Sequence, residues 1–218
     1  MSHHLKIDFV SDVTCPWCAV GLGALEQALT RVKDEITAEI RFQPFELNPS
    51  MGSEGQDIVE HLTQKYGSTE AQQADTRKTI CERGAEVGFE FNPAGRGRIW
   101  NTFDAHRLLF LAEHEGSLEQ QAALKKAFLV ACHKLSENMS DKAVLAACAV
   151  ECGIDVKRVN AVLDTDEFTT EVRERQGFYT SHGITSVPAV IVNERHLISG
   201  GQPAEAFEQA LRQIAAEV

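Results

Sequence analysis

The chain has 218 residues, of which 43% are hydrophobic and 24% charged, a composition typical of folded globular proteins and not of disordered or fibrous ones. Its 21 lysines and arginines against 32 aspartates and glutamates give a formal charge of −11, so the chain repels phosphate backbones and anionic lipids. These values argue against nucleic acid and membrane surfaces as partners. The length fits one domain with an insertion as well as it fits two domains.

No pattern in the sequence predicts export or a membrane anchor. The longest apolar runs, such as 143–150 and 187–192, fall well short of the ~20 residues that a membrane-spanning helix needs. The segment up to Val10 has no long apolar region followed by small residues, as a secretory signal would have. Six cysteines are also too few for a disulfide-stapled fold of this length. We therefore expect a cytoplasmic protein.

The first fifty residues predict a strand, a helix and a second strand. Leu5 to Val10 alternates apolar and mostly polar residues, and Ser11-Asp12 follows with turn-forming side chains. From Pro16 to Val32 apolar residues recur at the helical period, and proline suits the first turn of a helix. Ala38 to Phe45 alternates again. This order predicts a β-α-β unit with a parallel strand pair.

The rest of the chain has a helical pattern except near its end. Val187 to Val192 and Arg195 to Ser199 predict a β-hairpin with its turn at Asn193-Glu194. Ala204 to Ala216 predicts a final amphipathic helix. The central pattern predicts helices over 57–66, 69–87, 102–115, 117–134, 141–151, 155–163 and 167–182. A helical block inserted into one α/β domain fits this order.

Cys15-Pro16-Trp17-Cys18 lies between the first predicted strand and the first predicted helix. A Cys-x-x-Cys pair in a β-α-β unit has the spacing of thioredoxin-like redox sites. A thiolate at the start of a helix faces unpaired backbone N–H groups and the positive end of the helix dipole, which lowers its pKa. We therefore expect Cys15 to be the nucleophile, and Cys18, one turn into the helix, to resolve the mixed disulfide.

Two other interpretations of this motif stay open: half of a zinc site, or a pair of structural thiols. Zinc needs a second ligand pair at similarly short spacing, and neither Cys148 and Cys152 nor any histidine pair is a convincing one. We therefore expect no metal site. Cys148 and Cys152 are predicted to be small buried residues of one helix, with an auxiliary redox pair as the alternative. Cys81 and Cys132 are predicted to be simple core residues.

Several motifs together resemble the FrnE-type branch of the DsbA family. They are Cys15-Pro16-Trp17-Cys18 followed by Gly21, Arg98, Asn101-Thr102, Ala105-His106-Arg107-Leu108, Val187-Pro188 and Ser199-Gly200-Gly201-Gln202-Pro203. The resemblance implies an α/β, thioredoxin-like fold with a large all-helical insertion, in which 1–56 and 168–218 form the thioredoxin-like domain and 57–167 the inserted domain. It also implies dithiol-disulfide exchange with protein thiols or glutathione, through a redox-active Cys15–Cys18 disulfide and without a tightly bound cofactor.

The resemblance also implies roles for residues around the cysteines. In thioredoxin-like folds a cis proline packs against the active cysteines, and Pro188 takes that place here. The backbone of Val187 would then pair with an extended substrate, and Pro16 and Trp17 would help to position it. Independently of the resemblance, the position of His182 at the end of a predicted helix predicts an interaction with the last carbonyls of that helix, with stabilisation of a thiolate as the alternative.

Kappa-class glutathione transferases and 2-hydroxychromene-2-carboxylate isomerases resemble this chain in fold, but they typically have serine at the position of Cys15. The two cysteines favour the redox function; a glutathione-dependent isomerase or transferase is the first alternative, and a chaperone-like binding module the second. Glutathione stays a candidate co-substrate, because Gly200-Gly201-Gln202 could present backbone N–H groups to a carboxylate at a helix start. Asn101 and His106 are candidates to face the cleft between insertion and thioredoxin-like domain. The large insertion leaves room for a homodimer face.

Overall fold

The computed structural model describes residues 3–217. Within that range the strands are β1 (His3–Ser11), β2 (Ile36–Pro44), β3 (Gln56–Asp57), β4 (Arg98–Ile99), β5 (Ala189–Val192) and β6 (His196–Ser199). The helices are α1 (Pro16–Arg31), α2 (Ile58–Tyr66), α3 (Glu70–Glu86), α4 (Phe103–Leu111), α5 (Leu118–His133), α6 (Lys142–Glu151), α7 (Val156–Asp164), α8 (Thr169–Ser181) and α9 (Ala204–Ala215). Between residues 3 and 217, no helix combines the length and apolar character that a membrane span requires.

Strands from the two ends of the chain form one four-stranded sheet in the order β2-β1-β5-β6. β1 and β2 run parallel, with Phe9 opposite Phe42, which confirms the predicted β-α-β unit. β5 runs antiparallel to β1 and places Val190 opposite Phe9, and β6 returns antiparallel to β5. Asn193 and Glu194 have φ angles of 51° and 59°, the left-handed conformation that tight two-residue hairpin turns use. The predicted hairpin is therefore confirmed as well.

The main core lies between this sheet and helices α1 and α9, which also pack against each other. Phe9, Leu25 and Phe207 are completely buried members of this core. Cys15 and Cys18 belong to the same cluster and are 4% and 0% exposed. The thiols of the motif are therefore buried in the main core, not on an open surface.

The residues between β2 and β5 form helices α2 to α8 and a second core. Leu108 of α4, Phe128 of α5, Leu145 of α6 and Val159 of α7 are completely buried there. The short antiparallel β3–β4 pair was not predicted, since two residues per strand are too few to show an alternating pattern.

The helix predicted over 102–115 differs from the structure at its C-terminal end. The α-helix ends at Leu111, and the chain continues as a π-helical turn, Ala112–Gly116. In this wider turn the Glu113 carboxylate is buried and forms an ion pair with Arg175 of α8. A π-helical turn keeps helical hydrogen bonding, so the apolar periodicity of the sequence does not distinguish it from an α-helix.

Helix α5 joins the helical segment to the sheet. β2 is an edge strand, and both α5 and α8 pack against it. The side chain of Gln121 accepts a hydrogen bond from the N–H of Phe42 at 2.9 Å and donates one to the C=O of Phe42 at 3.1 Å. The buried amide of Gln121 therefore satisfies the backbone N–H and C=O of Phe42, which a further strand would otherwise bond at this edge of the sheet. The boundaries of the two domains stay a prediction.

Candidate active site

The two cysteines of the motif lie at the start of α1, directly after β1. Cys15 is the N-cap residue of α1, and Pro16 occupies the first turn. The backbone N–H of Cys15 donates to the C=O of Asp12 at 3.2 Å, and the N–H of Cys18 donates to the C=O of Cys15 at 3.1 Å. No disulfide joins Cys15 and Cys18 in this structure.

The two thiols differ in acidity. The pKa of Cys15 is lowered, mainly because its sulfur accepts a hydrogen bond from the Cys18 thiol. The backbone N–H groups of Cys18 and Trp17 lower this pKa further, whereas burial and the negative charge of Asp12 raise it. The pKa of Cys18 is raised well above its ordinary value, first by burial and then by the neighbouring Cys15 sulfur. The acidic thiol of the pair is therefore Cys15, as its position at the start of a helix predicts.

The segment that precedes β5 lies against Cys15. The Sγ of Cys15 donates to the C=O of Val187 at 3.6 Å, across 172 positions of the sequence. The Val187–Pro188 peptide bond is cis, as predicted. The N–H of Gly200 donates to the C=O of Pro188 at 2.8 Å, which holds the loop before α9 in the same place.

Two glycines allow these segments to pack closely around the motif. A Cβ atom on Gly21 of α1 would lie 3.0 Å from the Cγ of Pro188 and 3.3 Å from the Cα of Gly201. A Cβ atom on Gly201 would lie 3.1 Å from the backbone oxygen of Trp17. Such distances are shorter than the optimal separation of nonbonded carbon atoms, so larger residues at either position would push the segments apart. Trp17 itself is half-buried against the main core.

A buried carboxylate lies beneath the motif. Asp12 has no exposed surface and accepts hydrogen bonds from the N–H groups of Thr14 at 3.2 Å and Leu47 at 2.8 Å. The Nε2 of His106 lies 3.7 Å from its Oδ1. Burial alone would raise the pKa of Asp12, but the His106 ring and the two backbone donors lower it overall. Asp12 therefore places a negative charge close to Cys15.

The structure does not bring all of the predicted site residues to the thiols. His106 is only 2% exposed and lies against Asp12, so it is buried below the motif instead of facing open space. Asn101 donates to the C=O of Met51 at 2.8 Å and accepts from the N–H of Phe103 at 2.9 Å, at the start of α4. Gln202 is exposed, and its amide donates to the C=O of Ser199 at 2.8 Å, within its own loop.

Three of the remaining cysteines, Cys132, Cys148 and Cys152, are not activated. Burial raises the pKa of Cys148 to about 11 and also raises that of Cys152. Burial likewise raises the pKa of Cys132, which is completely enclosed, while Cys81 is only partly buried. In the part of the chain that the structure describes, no group of three or more His, Cys, Asp or Glu side chains could hold a metal ion.

Two buried charged residues near the thiols, Asp12 and Lys125, were not predicted. Asp12 directly follows β1, and its sequence context indicates only a turn. Lys125 has no exposed surface and lies on the apolar face of α5 that also carries Leu124 and Phe128. The position of Lys125 in the middle of an apolar helix face was the one sequence feature that could have indicated its burial. It was not decisive, because long side chains at such positions commonly extend to the solvent.

Comparison with known proteins places the chain in a family. Residues 6–212 match the family model described as DSBA-like thioredoxin domain. The chain is similar to a probable DsbA oxidoreductase of Streptomyces coelicolor, with 32% identity, a TM-score of 0.89, and coverage of 99% of this chain and 92% of that one. It is 26% identical to YwbO, an uncharacterized protein of Bacillus subtilis, over 97% of this chain and 96% of that one.

Two solved structures of lower identity share the fold. One is a 2-hydroxychromene-2-carboxylate isomerase, with 13% identity, a TM-score of 0.72 and 97% coverage of both chains. The other is the cytosolic disulfide reductase DsbM of Pseudomonas aeruginosa with GSH, with 14% identity, a TM-score of 0.65, and coverage of 95% of this chain and 98% of that one. Since the family model and the Streptomyces structure span nearly the whole sequence, the chain belongs to the DsbA-like thioredoxin family and has its fold.

Proposed function

We propose that this protein is a thiol-disulfide oxidoreductase that exchanges disulfides through Cys15 and Cys18. The observation that carries the proposal is the difference between the two thiols of the motif: the pKa of Cys15 is lowered and that of Cys18 is raised. The position of Cys15 against the Val187 carbonyl supports it, because an extended substrate can pair with backbone there. Membership of a family with disulfide oxidoreductases among its structures supports the same activity.

The chemistry needs only the two thiols and the substrate. The Cys15 thiolate attacks one sulfur of a substrate disulfide; that S–S bond breaks, and the second sulfur leaves as a thiolate that takes a proton from water. Cys18 then attacks the Cys15 sulfur, loses its proton, and releases the first substrate sulfur as a thiol. The substrate has gained two electrons, and Cys15 and Cys18 are joined in a disulfide. The reverse sequence oxidises a dithiol, so reduction potentials decide the direction.

The surrounding residues position the substrate in this proposal. Val187 offers its backbone to an extended substrate, and Pro188 holds that segment against α1. Pro16 and Trp17 are only partly buried and lie between the two cysteines, where they contact the chain that carries the attacked sulfur. We propose the cytoplasm as the location of this activity; the reduction potential of the Cys15–Cys18 pair relative to the cytoplasmic thiol pools decides whether the protein reduces or oxidises its substrates.

The test compares serine variants in the reduction of a peptide disulfide, with dithiothreitol as the electron source. Cys15→Ser is expected to abolish the reaction. Cys18→Ser is expected to carry out the first attack and to accumulate a mixed disulfide at Cys15, which mass spectrometry detects. Cys148→Ser is the matched control and should retain the full rate, because its thiol, with a pKa of about 11, is almost entirely protonated at neutral pH. Full activity of Cys15→Ser would refute the proposal.

Glutathione is the candidate co-substrate, as the thiol that reduces the Cys15–Cys18 disulfide again. The loop of Gly200 and Gly201 lies beside Pro188 before α9, but the N–H of Gly200 donates to the C=O of Pro188 and the N–H of Gln202 donates to the C=O of Gly200. Of these three backbone donors, the N–H of Gly201 is the one that stays available for a carboxylate. A solved structure of similar fold, DsbM of Pseudomonas aeruginosa, contains GSH, which supports glutathione as the candidate. In the alternative function, a glutathione-dependent isomerase or transferase, activity on an electrophile would require glutathione and would survive Cys18→Ser.

A further inference from the structure

A hydrogen-bonded turn, residues 12–15, connects β1 to the active-site helix α1. The N–H of Cys15 donates to the C=O of Asp12 at 3.2 Å, and the N–H of Thr14 donates to the Oδ1 of Asp12 at 3.2 Å. These two N–H groups are therefore satisfied from within the turn. The carbonyls in the middle of the turn belong to Val13 and Thr14, which are 0% and 3% exposed, so they need hydrogen-bond donors from other parts of the chain.

Side chains from the residues between β2 and β5 bond both of these carbonyls. The Nη1 of Arg96 donates to the C=O of Thr14 at 2.5 Å and to the Sγ of Cys132 at 3.5 Å. The Nε2 of His133 lies 3.0 Å from the C=O of Val13, and because a carbonyl only accepts, this nitrogen carries the ring proton. Burial and the charge of Arg96 hold the pKa of His133 well below its ordinary value, so Arg96 supplies the positive charge at the turn.

The loop that carries Arg96 is itself attached to the end of α5. The N–H of Asn92 donates to the C=O of His133 at 2.9 Å, and the Nδ2 of Asn92 donates to the Oγ of Ser136 at 2.9 Å. That hydroxyl donates in turn to the C=O of Gly95 at 3.2 Å. His133 therefore holds the Arg96 loop with its backbone and the active-site turn with its side chain, so the two contacts on the turn belong to one connected structure.

These contacts affect Cys15 because Cys15 is both the last residue of the turn and the N-cap of α1. Its thiolate is stabilised by the Cys18 thiol and by the N–H groups of Cys18 and Trp17. The direction of the Cys15 sulfur relative to these donors depends on the orientation of the peptide that joins Thr14 to Cys15. Arg96 bonds the carbonyl of that peptide, and a charged donor holds a carbonyl more strongly than a neutral one.

We propose that Arg96 is a positioning residue for disulfide exchange, which together with His133 holds the turn 12–15 so that the Cys15 sulfur faces the start of α1. Both side chains act through the backbone that precedes Cys15. Since both lie between β2 and β5, the helical part of the chain contributes to the thiol chemistry through these two contacts. This inference rests on the proposed function and deepens it.

The test measures the Cys15 thiol and the turnover in Arg96→Met, which keeps an unbranched side chain and removes the donor. The pKa of Cys15, followed through its Cβ NMR shift, should rise by about one unit, because the sulfur loses part of its hydrogen bonding at the helix start. In the reduction of a peptide disulfide, kcat should fall about tenfold with little change in KM, as a small misplacement of a reacting group causes. Arg96→Lys keeps a charged donor and should recover most of both values.

Arg98→Met is the matched control. Arg98 is exposed, and its Nη2 donates to the C=O of Glu54 at 2.9 Å and to the C=O of Gly55 at 3.1 Å, so it also bonds backbone carbonyls, but outside the turn 12–15. This variant should keep the parental pKa of Cys15 and the parental kcat. Urea unfolding measures the stability of both variants, and a purely structural Arg96 would lower the unfolding midpoint without changing the pKa of Cys15.

His133→Leu removes the second contact and should shift the pKa of Cys15 in the same direction. His133→Gln, whose amide nitrogen can replace Nε2, should shift it less. An unchanged Cys15 pKa or kcat in Arg96→Met, an equal shift in Arg98→Met, or failure of both Arg96→Met and His133→Leu to fold would overturn the proposal. If instead the parent protein exchanged no disulfides, the proposed function would fail, whereas the titration would still decide whether Arg96 positions Cys15.

Discussion

Replacing Gln121 by leucine should destabilise the protein by about 1–5 kcal/mol, because this one side chain satisfies both backbone groups of Phe42 in the edge strand β2. Its amide oxygen accepts from the N–H of Phe42, and its amide nitrogen donates to the C=O of Phe42 and, at 3.3 Å, to the C=O of Leu109. Leucine has a similar size but can make none of these bonds. No water reaches the position freely, since Gln121 has no exposed surface.

The magnitude follows from the groups that lose their partner. A buried donor or acceptor left without a hydrogen bond costs about 1–3 kcal/mol, and both backbone groups of Phe42 are affected, which gives about 2–6 kcal/mol. The apolar leucine side chain gains about 1 kcal/mol from burial in place of the amide. The net loss is a large share of the 5–15 kcal/mol or so by which natural domains are stable.

Urea unfolding measures this loss as a lower midpoint at an unchanged slope. Gln120→Leu is the control on the same helix, since the Gln120 side chain is only partly buried and donates one bond, to the C=O of Cys152 at 3.1 Å. That variant should lose about 0.5–1.5 kcal/mol. A loss below about 1 kcal/mol for Gln121→Leu, or one no greater than that of Gln120→Leu, would refute the reasoning about the sheet edge.

Two further predictions concern the site. Asp12→Asn should lower the pKa of Cys15 further, because the substitution removes a negative charge that opposes ionisation of the thiol. An NMR titration measures the pKa of Cys15 in both proteins. An unchanged or higher value in the variant would contradict the inferred charge effect. Gly21→Ala should slow disulfide exchange by about tenfold or more, because its Cβ would lie 3.0 Å from the Cγ of Pro188 and displace that segment. Gly177→Ala, with no atom within 4 Å of the new Cβ, should keep the parental rate, so equal rates for both alanine variants would count against the packing argument.

Much of the fold was predictable because helices and strands leave periodic patterns in the sequence. The helix predicted over 69–87 is observed as Glu70–Glu86, and the hairpin turn lies at Asn193-Glu194 as expected. The prediction failed where the pattern was too short or not distinctive, as in the two-residue strands β3 and β4 and the π-helical turn after Leu111.

The sequence by itself determined the redox motif and its place at the start of a helix, because the strand, the cysteines and the helix are continuous in the chain. Only the tertiary structure decided what surrounds the thiols. It brought Val187 to Cys15 across 172 positions, and it enclosed Asp12 and Lys125 beside the motif. Whether a charged side chain extends to water or is buried without a partner depends on packing between distant segments, which local periodicity does not encode. That packing buries Cys18 and raises its pKa, whereas the lowered pKa of Cys15 comes mainly from the hydrogen bond of the nearby Cys18 thiol.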